Sequence, residues 1–299
     1  RAAALGAMDA EILRDGAGGE TPLPMIPGGA VAGQIAALGA EVGDRFAIGD
    51  SVSVYPFFQG GGVLGETLPG GACEALRVPA DRLAPIPEGL DFPKAAALSR
   101  VYGAALRMMY ARGKIVAGET ALIIGATSEI GIACAQLAKA AGATVIACGG
   151  GGWKLEKLAA LGVDAVLEHA ETRFRDYVWE TYGEPDRTGG GGVDVVVNLI
   201  GGETWNDSLR CLAQGGRLLV SNALDGHETM NDCRNISTHE LNILGSNGWS
   251  MDDQIEVMRM AVDGEIAPMI HAVRPLREAP AAMQDLIDRT VFGQQALTP

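Results

Sequence analysis

The chain has 299 residues, enough for about two domains of roughly 150 residues each. Apolar residues make up 47% and charged residues 20%, which is a globular composition and excludes a disordered or fibrous chain. The 37 acidic and 23 basic residues leave a net charge of −14, so the chain has no general attraction to nucleic acid or anionic lipid. No apolar run approaches the roughly 18 residues of a membrane span. The five cysteines, Cys73, Cys134, Cys148, Cys211 and Cys233, include no C-x-x-C pair. They read as reduced thiols of a cytoplasmic protein. The opening, Arg1-Ala2-Ala3-Ala4-Leu5, lacks the order of a signal peptide.

Residues 1–90 hold short apolar stretches broken by glycine and proline, at 35–38, 51–58 and 75–78. This spacing predicts a mostly β region. Gly49-Asp50 is a turn that feeds a period-2 strand from Ser51. Asp91 followed by Pro93 opens a helix predicted to reach Ala111. From 120 the rhythm changes. Apolar strands at 120–124, 144–148, 165–167, 193–199, 217–220 and 241–244 alternate with helices at 130–141, 154–161, 171–182 and 205–212. Continuous apolar strands alternating with helices predict a parallel sheet covered on both faces, and six of them suit a doubly wound dinucleotide-binding domain. Two more helical patterns follow residue 245.

The sharpest local signal is Gly125-Ala126-Thr127-Ser128-Glu129-Ile130-Gly131, directly after a strand and before a helix. Small residues let the backbone approach a pyrophosphate, and the helix N-terminus supplies N–H groups and partial positive charge. The next strand decides the dinucleotide. Ribose recognition in NAD needs a carboxylate about 20 residues past the loop. Cys148 is instead followed by four glycines, Trp153 and Lys154. With no acid to repel a 2′-phosphate and a lysine to attract it, the pattern points to NADPH. Tyr110 and Lys114 spell Tyr-x-x-x-Lys, but before the phosphate loop, and read as an exposed helix end. His227, His239 and His271 lack metal-ligand spacing.

The order of parts resembles the medium-chain dehydrogenase/reductase superfamily, in its zinc-free quinone oxidoreductase-like branch. The motifs are Val42-Gly43-Asp44-Arg45-Phe46 with Gly49-Asp50-Ser51-Val52; Pro85-Ile86-Pro87-Glu88-Gly89-Leu90; Gly118-Glu119-Thr120 leading into the glycine loop; Gly192-Val193-Asp194-Val195-Val196-Val197; Gly201-Gly202-Glu203-Thr204; and Gly215-Gly216-Arg217-Leu218. The resemblance implies an α/β fold: a Rossmann doubly wound parallel sheet from 101 to 244, and a mostly β GroES-like catalytic domain from 1–100 and 245–299. It also implies a first strand lying before Arg1.

By the same resemblance, cofactor contacts come from Thr127, Ser128, Glu129, Ile130 and Gly131, with Gly149, Gly150, Lys154 and His169 around the adenosine phosphate. Asn198, Leu199, Ile200, Ser221, Asn222, Ala223, Ser246 and Asn247 would line the ribose and nicotinamide. The catalytic-zinc ligands of the family's alcohol dehydrogenases correspond to Gly6, Gly29 and Arg100, so no metal is expected. Tyr55, Phe57, Phe58 and Tyr102 match positions near the substrate, and Tyr55 and Tyr102 are the candidate proton donors. The expected activity is hydride transfer from NADPH to a quinone or α,β-unsaturated carbonyl. Two alternatives stand beside it: a binding or regulatory protein without turnover, and an enoyl-thioester reductase. The expected partners are a small-molecule substrate and a second copy of the chain, paired through the edge strand at 241–244.

Overall fold

Apolar runs without alternation give buried strands, and the runs at 120–124, 144–148 and 193–198 form such strands. The structure is a computed structural model, and it describes residues 1–19, 21–221, 226 and 228–299. The first elements are β1 (Ala2–Leu5), α1 (Ala7–Gly19), β2 (Ala30–Gln34), β3 (Ser51–Val54), β4 (Leu83–Pro85), α2 (Phe92–Ala97) and α3 (Gly103–Leu106). Then come β5 (Thr120–Ile124), α4 (Glu129–Ala140), β6 (Thr144–Gly149), α5 (Gly152–Ala159), β7 (Ala165–Glu168) and α6 (Phe174–Tyr182). They are followed by β8 (Val193–Asn198), α7 (Thr204–Arg210), β9 (Leu212–Val220), α8 (Cys233–Thr238) and β10 (Asn242–Gly245). The last are α9 (Met251–Val262), β11 (Ile270–Pro275), α10 (Ala279–Ile287) and β12 (Gln294–Thr298). The chain divides into two compact units, Arg1–Gly103 with Trp249–Pro299, and Ala104–Gly248.

The Ala104–Gly248 unit carries a six-stranded sheet in the order β10-β9-β8-β5-β6-β7, every pair parallel. This is the doubly wound order, with its direction of winding reversing between β5 and β8. Leu122, Ile146, Val196 and Leu218 from four different strands share one buried core with Phe174 and Val178 of α6. Burial of each such side chain stabilises by about 1.5–3 kcal/mol. Strand β9 begins at Leu212, five residues earlier than its apolar run predicts, with a register shift opposite Val193/Val195.

The other unit holds a six-stranded sheet ordered β11-β12-β1-β2-β3-β4, antiparallel except for β11 on β12. Two predicted strands are absent. Ile35 makes one more ladder contact, with Asp50 and Gly49, and the chain then leaves the sheet. Leu76 and Val78 pack on the core beside Val31, Phe46 and Val52 without joining a ladder. Strand β3 stops at Val54 because Pro56 has no N–H to donate. Helix α2 starts as expected: Asp91 accepts from the Lys94 N–H at 2.8 Å, and Pro93 needs no partner in the first turn. Helical backbone continues past α2 in wider turns as far as Arg112. Among the described residues, no helix is long and apolar enough to cross a membrane.

Candidate functional site

In the Ala104–Gly248 unit, the site forms at the C-terminal ends of β5, β6, β7 and β8. Gly125 turns with φ +86°, a conformation that L side chains rarely adopt. The N–H groups of Gly125 and Ala126 donate to Cys148 O at 3.0 and 2.9 Å, which folds the loop over the end of β6. Ser128 caps α4: its Oγ accepts from Gly131 N at 3.2 Å and donates to Gly125 O at 2.7 Å. A Cβ on Gly131 would overlap Gly125 O and come within 2.7 Å of Ala126 Cα, so only glycine fits there. The loop is therefore a tight cradle ahead of a helix N-terminus, the geometry that receives a pyrophosphate. Thr127 and Ile130 are half-buried on the same turn. So is Glu129, which places its carboxylate at the positive end of the α4 dipole.

The end of β6 meets this loop. A Cβ on Gly149 would lie 2.8 Å from Thr127 Cγ2, and one on Gly150 would lie 2.6 Å from His169 Nε2. The glycine pair thus leaves room for the phosphate loop on one side and the β7 turn on the other. His169 N donates to Gly149 O at 2.9 Å. Glu168, last residue of β7 and the register partner of Gly149, also reaches the site: its Oε1 lies 3.5 Å from a Cβ on Gly150. The Lys154 stem passes 3.7 Å from a Cβ on Gly151, and its Nζ lies 5.5 Å from the exposed Trp153 ring. Burial, then the Glu168 charge, pushes the Cys148 thiol up to about 12, so it is inert.

The third group of predicted residues divides. Leu199 and Ile200 flank the phosphate loop, 3.3 and 3.1 Å from a Cβ on Gly125. Asn198 is 1% exposed, and its side chain is fully engaged within the protein. Its Nδ2 donates to Thr204 Oγ1 and Ser208 Oγ, and its Oδ1 accepts from Ile200 N and Gly201 N, all between 2.8 and 3.0 Å. It positions the loop and has no polar capacity left for a ligand. Ser246 is buried, donating its N–H to Val220 O, whereas Ser221 and Asn247 are exposed. Asn222, Ala223 and His227 lie outside the described residues. Tyr110 is not a free helix end, since its hydroxyl donates to Leu137 O at 3.2 Å.

The Arg1–Gly103 and Trp249–Pro299 unit supplies an aromatic cluster. Phe57 packs edge-on against Trp249 at 4.9 Å and Tyr55 at 5.4 Å. The Tyr55 hydroxyl donates to Trp249 O at 2.6 Å, and the Arg82 guanidinium lies 5.8 Å over its ring. Trp249 carries no signal in the sequence, because it and Phe57 lie in distant parts of the chain and no local pattern joins them. Tyr102 is 1% exposed. Its hydroxyl donates to Ala267 O and accepts from Met269 N, both at 3.2 Å, which makes it a structural link.

In the same unit, a Cβ on Gly29 would overlap Arg100 Nη1, while Arg100 Nη2 donates to Glu66 Oε1. Below them Asp9 is 5% exposed and accepts from Gly6 N at 2.9 Å and Gly28 N at 2.7 Å. Burial pushes the Asp9 carboxyl above its ordinary range, with the Arg100 charge opposing. Two glycines and a guanidinium cannot ligate zinc, so residues 6, 29 and 100 do not fit a catalytic metal. Among the described residues, no three His, Cys, Asp or Glu side chains are grouped to hold an ion.

Two family models match the chain: an alcohol dehydrogenase GroES-like domain over residues 1–88 and a zinc-binding dehydrogenase over 130–263. Quinone oxidoreductase of Mus musculus is 29% identical over 282 residues, covering 92% of this chain and 80% of its own. A phenolphthiocerol/phthiocerol polyketide synthase component of Mycobacterium tuberculosis is 33% identical over 192 residues, 64% of this chain but 8% of that one. The solved structure of an NAD-dependent alcohol dehydrogenase superposes with a TM-score of 0.88 at 29% identity, covering 100% of this chain and 90% of that one.

Proposed function

Since the chain belongs to the medium-chain dehydrogenase/reductase superfamily, in its quinone oxidoreductase-like branch, we propose that it transfers hydride from NADPH to a quinone or α,β-unsaturated carbonyl without a metal. Family members bind a nicotinamide cofactor, and the Gly125–Gly131 cradle fits its pyrophosphate. The bound nicotinamide supplies hydride. The observation that carries the choice of acceptor is Arg100, whose guanidinium stands over Gly29 where a zinc ligand would be needed. With no Lewis acid there, the acceptor must be electrophilic by its own conjugation.

Within this reading the chain's residues have separate tasks. The first-turn N–H groups of α4 hold the pyrophosphate, Ser128 fixes the helix start, and Asn198 sets the loop after β8. Lys154 attracts the 2′-phosphate across the glycine run. Phe57 and Trp249 offer ring faces to a planar acceptor. Tyr55 can give a proton to an enolate once its hydroxyl turns from Trp249 O; a quinone needs no such donor at the hydride step. The chain works in the cytoplasm as a two-fold dimer. The dimer pairs through β10, which ends its sheet and exposes Ile243. Light scattering at micromolar concentration checks the assembly.

NADPH oxidation with a panel of simple quinones and enones tests the activity. Turnover of at least one acceptor, unaffected by chelator, is expected. Tight cofactor binding with no turnover on any acceptor would instead support a binding or regulatory role. The polyketide synthase similarity favours one second reading, reduction of an enoyl thioester. Faster turnover of a crotonyl thioester than of any quinone would select it.

A further inference from the structure

The aromatic cluster of the Arg1–Gly103 and Trp249–Pro299 unit is anchored inside that unit's core. Trp249 Nε1 donates to Gln254 Oε1 at 3.4 Å, Gln254 Nε2 donates to Ser53 Oγ at 2.9 Å, and Ser53 Oγ donates to Val31 O at 3.4 Å. Gln254 on α9 and Ser53 on β3 are both 0% exposed. A buried amide and hydroxyl cost desolvation that apolar side chains of similar size avoid, whereas a bonded polar chain specifies one arrangement. That chain ends on an indole. The same ring is held from other directions. Gly103 lies against it, where an added Cβ would come within 2.6 Å of Cδ1 and 3.0 Å of Cγ and Nε1. The Tyr55 hydroxyl holds the Trp249 carbonyl, and the capping box of Ser250 and Asp253 fixes the backbone at the next residue.

We propose that Gln254, with Ser53 behind it, is a positioning residue that sets the Trp249 indole as a rigid wall for a planar cyclic acceptor, and so favours ring acceptors over acyclic ones. This rests on the acceptor site described under the proposed function. Trp249 is 9% exposed and Phe57 is half-buried, so the pair presents little open apolar surface and its placement decides what it can pack against. A ring already fixed in place loses little freedom when a flat ligand packs on it. An acyclic enone has no ring face to match and gains less.

The test compares menadione, a planar quinone, with mesityl oxide, an acyclic enone, on wild type, Gln254→Met and Gly103→Ala. Gln254→Met keeps the length of the side chain and removes both of its hydrogen bonds. Gly103 has helical backbone, φ −60° and ψ −46°, so Gly103→Ala suits its conformation, leaves every polar partner in place and displaces the ring. It decides the matter where Gln254→Met is too unstable to assay. KM for menadione should rise about three- to ten-fold in both variants, with KM for mesityl oxide and NADPH within about two-fold of wild type. A purely structural role would lower both rates equally through loss of folded protein and leave each KM unchanged; that result, or a parallel rise in KM for both acceptors, overturns the inference. Menadione quenching of tryptophan emission reads binding without turnover, as the difference between each protein and its Trp249→Phe counterpart. Saturable quenching carried by Trp249, with Kd raised about three- to ten-fold in Gly103→Ala, is expected. Such quenching with no turnover of any acceptor removes the reductase reading and supports the wall. Turnover with quenching independent of Trp249 keeps that reading and overturns the wall. Neither turnover nor quenching overturns both.

Discussion

The two units are built from different materials at their candidate functional residues. In the Ala104–Gly248 unit the cradle is backbone: Gly125 at positive φ, Gly131 without room for a methyl, and Asn198 holding two N–H groups. In the other unit the corresponding work is done by side chains: the Arg100–Glu66 pair over buried Asp9, and the Tyr55, Phe57 and Trp249 rings. Backbone cradles tolerate few residue types and serve one kind of ligand. Side-chain sites change chemistry by substitution: two glycines and an arginine at residues 6, 29 and 100 cannot ligate zinc. On the proposed reading, sterics in one unit admit a dinucleotide, and side-chain chemistry in the other selects the acceptor.

Substitutions that press on this contrast should differ in kind. Gly131→Val drives a branched side chain into Gly125 O and Ala126, with backbone on every side. It should abolish cofactor binding and cost about 3 kcal/mol or more, read by denaturant unfolding. A variant that unfolds like wild type and still binds NADPH would show that the cradle is not steric. Asn198→Ala deprives Ile200 N and Gly201 N of their acceptor. A loss of about 3 kcal/mol is expected, with weakened cofactor binding although no cofactor contact is removed.

The tyrosines of the other unit separate structure from chemistry. Tyr102→Phe should cost about 1–2 kcal/mol in stability and leave kcat unchanged, because the hydroxyl is tied to residues 267 and 269. Tyr55→Phe should lower kcat for enones while sparing quinones. Equal effects on both acceptors would remove Tyr55 as the proton donor.

The smallest effect concerns Asp9, whose folded-state carboxyl is raised by burial. As pH rises from its ordinary value near 3.8, the unfolded chain ionises first and gains relative to the folded one. Wild type should therefore lose stability against Asp9→Asn as pH rises through the window above 3.8, and keep that deficit at neutral pH. Parallel stability profiles for the two proteins would show that Asp9 does not titrate abnormally.

Much of the architecture was legible because the nucleotide-binding unit is written in local patterns. Strands β5, β6 and β8 are unbroken apolar runs, and Gly125–Gly131 sits between strand and helix as such a loop must. The other unit depends on distant partners. Helix α1 is rich in glycine, and β12 becomes a strand only by pairing with β1, at the opposite end of the chain, and with β11. Residues 75–78 look like a strand because they are apolar, yet they pack without pairing. At the site, the glycine run and Lys154 could be read directly. Glu168 could not, since its approach to Gly150 arises from the β6–β7 register. Likewise the full hydrogen bonding of Asn198, and the engagement of Tyr102, depend on residues that no motif connects.

The proposed preference of the nucleotide site for NADPH is tested most directly by titration of NADPH and NADH against wild type and Lys154→Ala. NADPH should bind about ten-fold or more tightly at neutral pH, a margin mostly erased by Lys154→Ala with NADH affinity almost unchanged, and a margin that shrinks with added salt. Equal affinities in wild type, or an equal loss for both cofactors in Lys154→Ala, would contradict it.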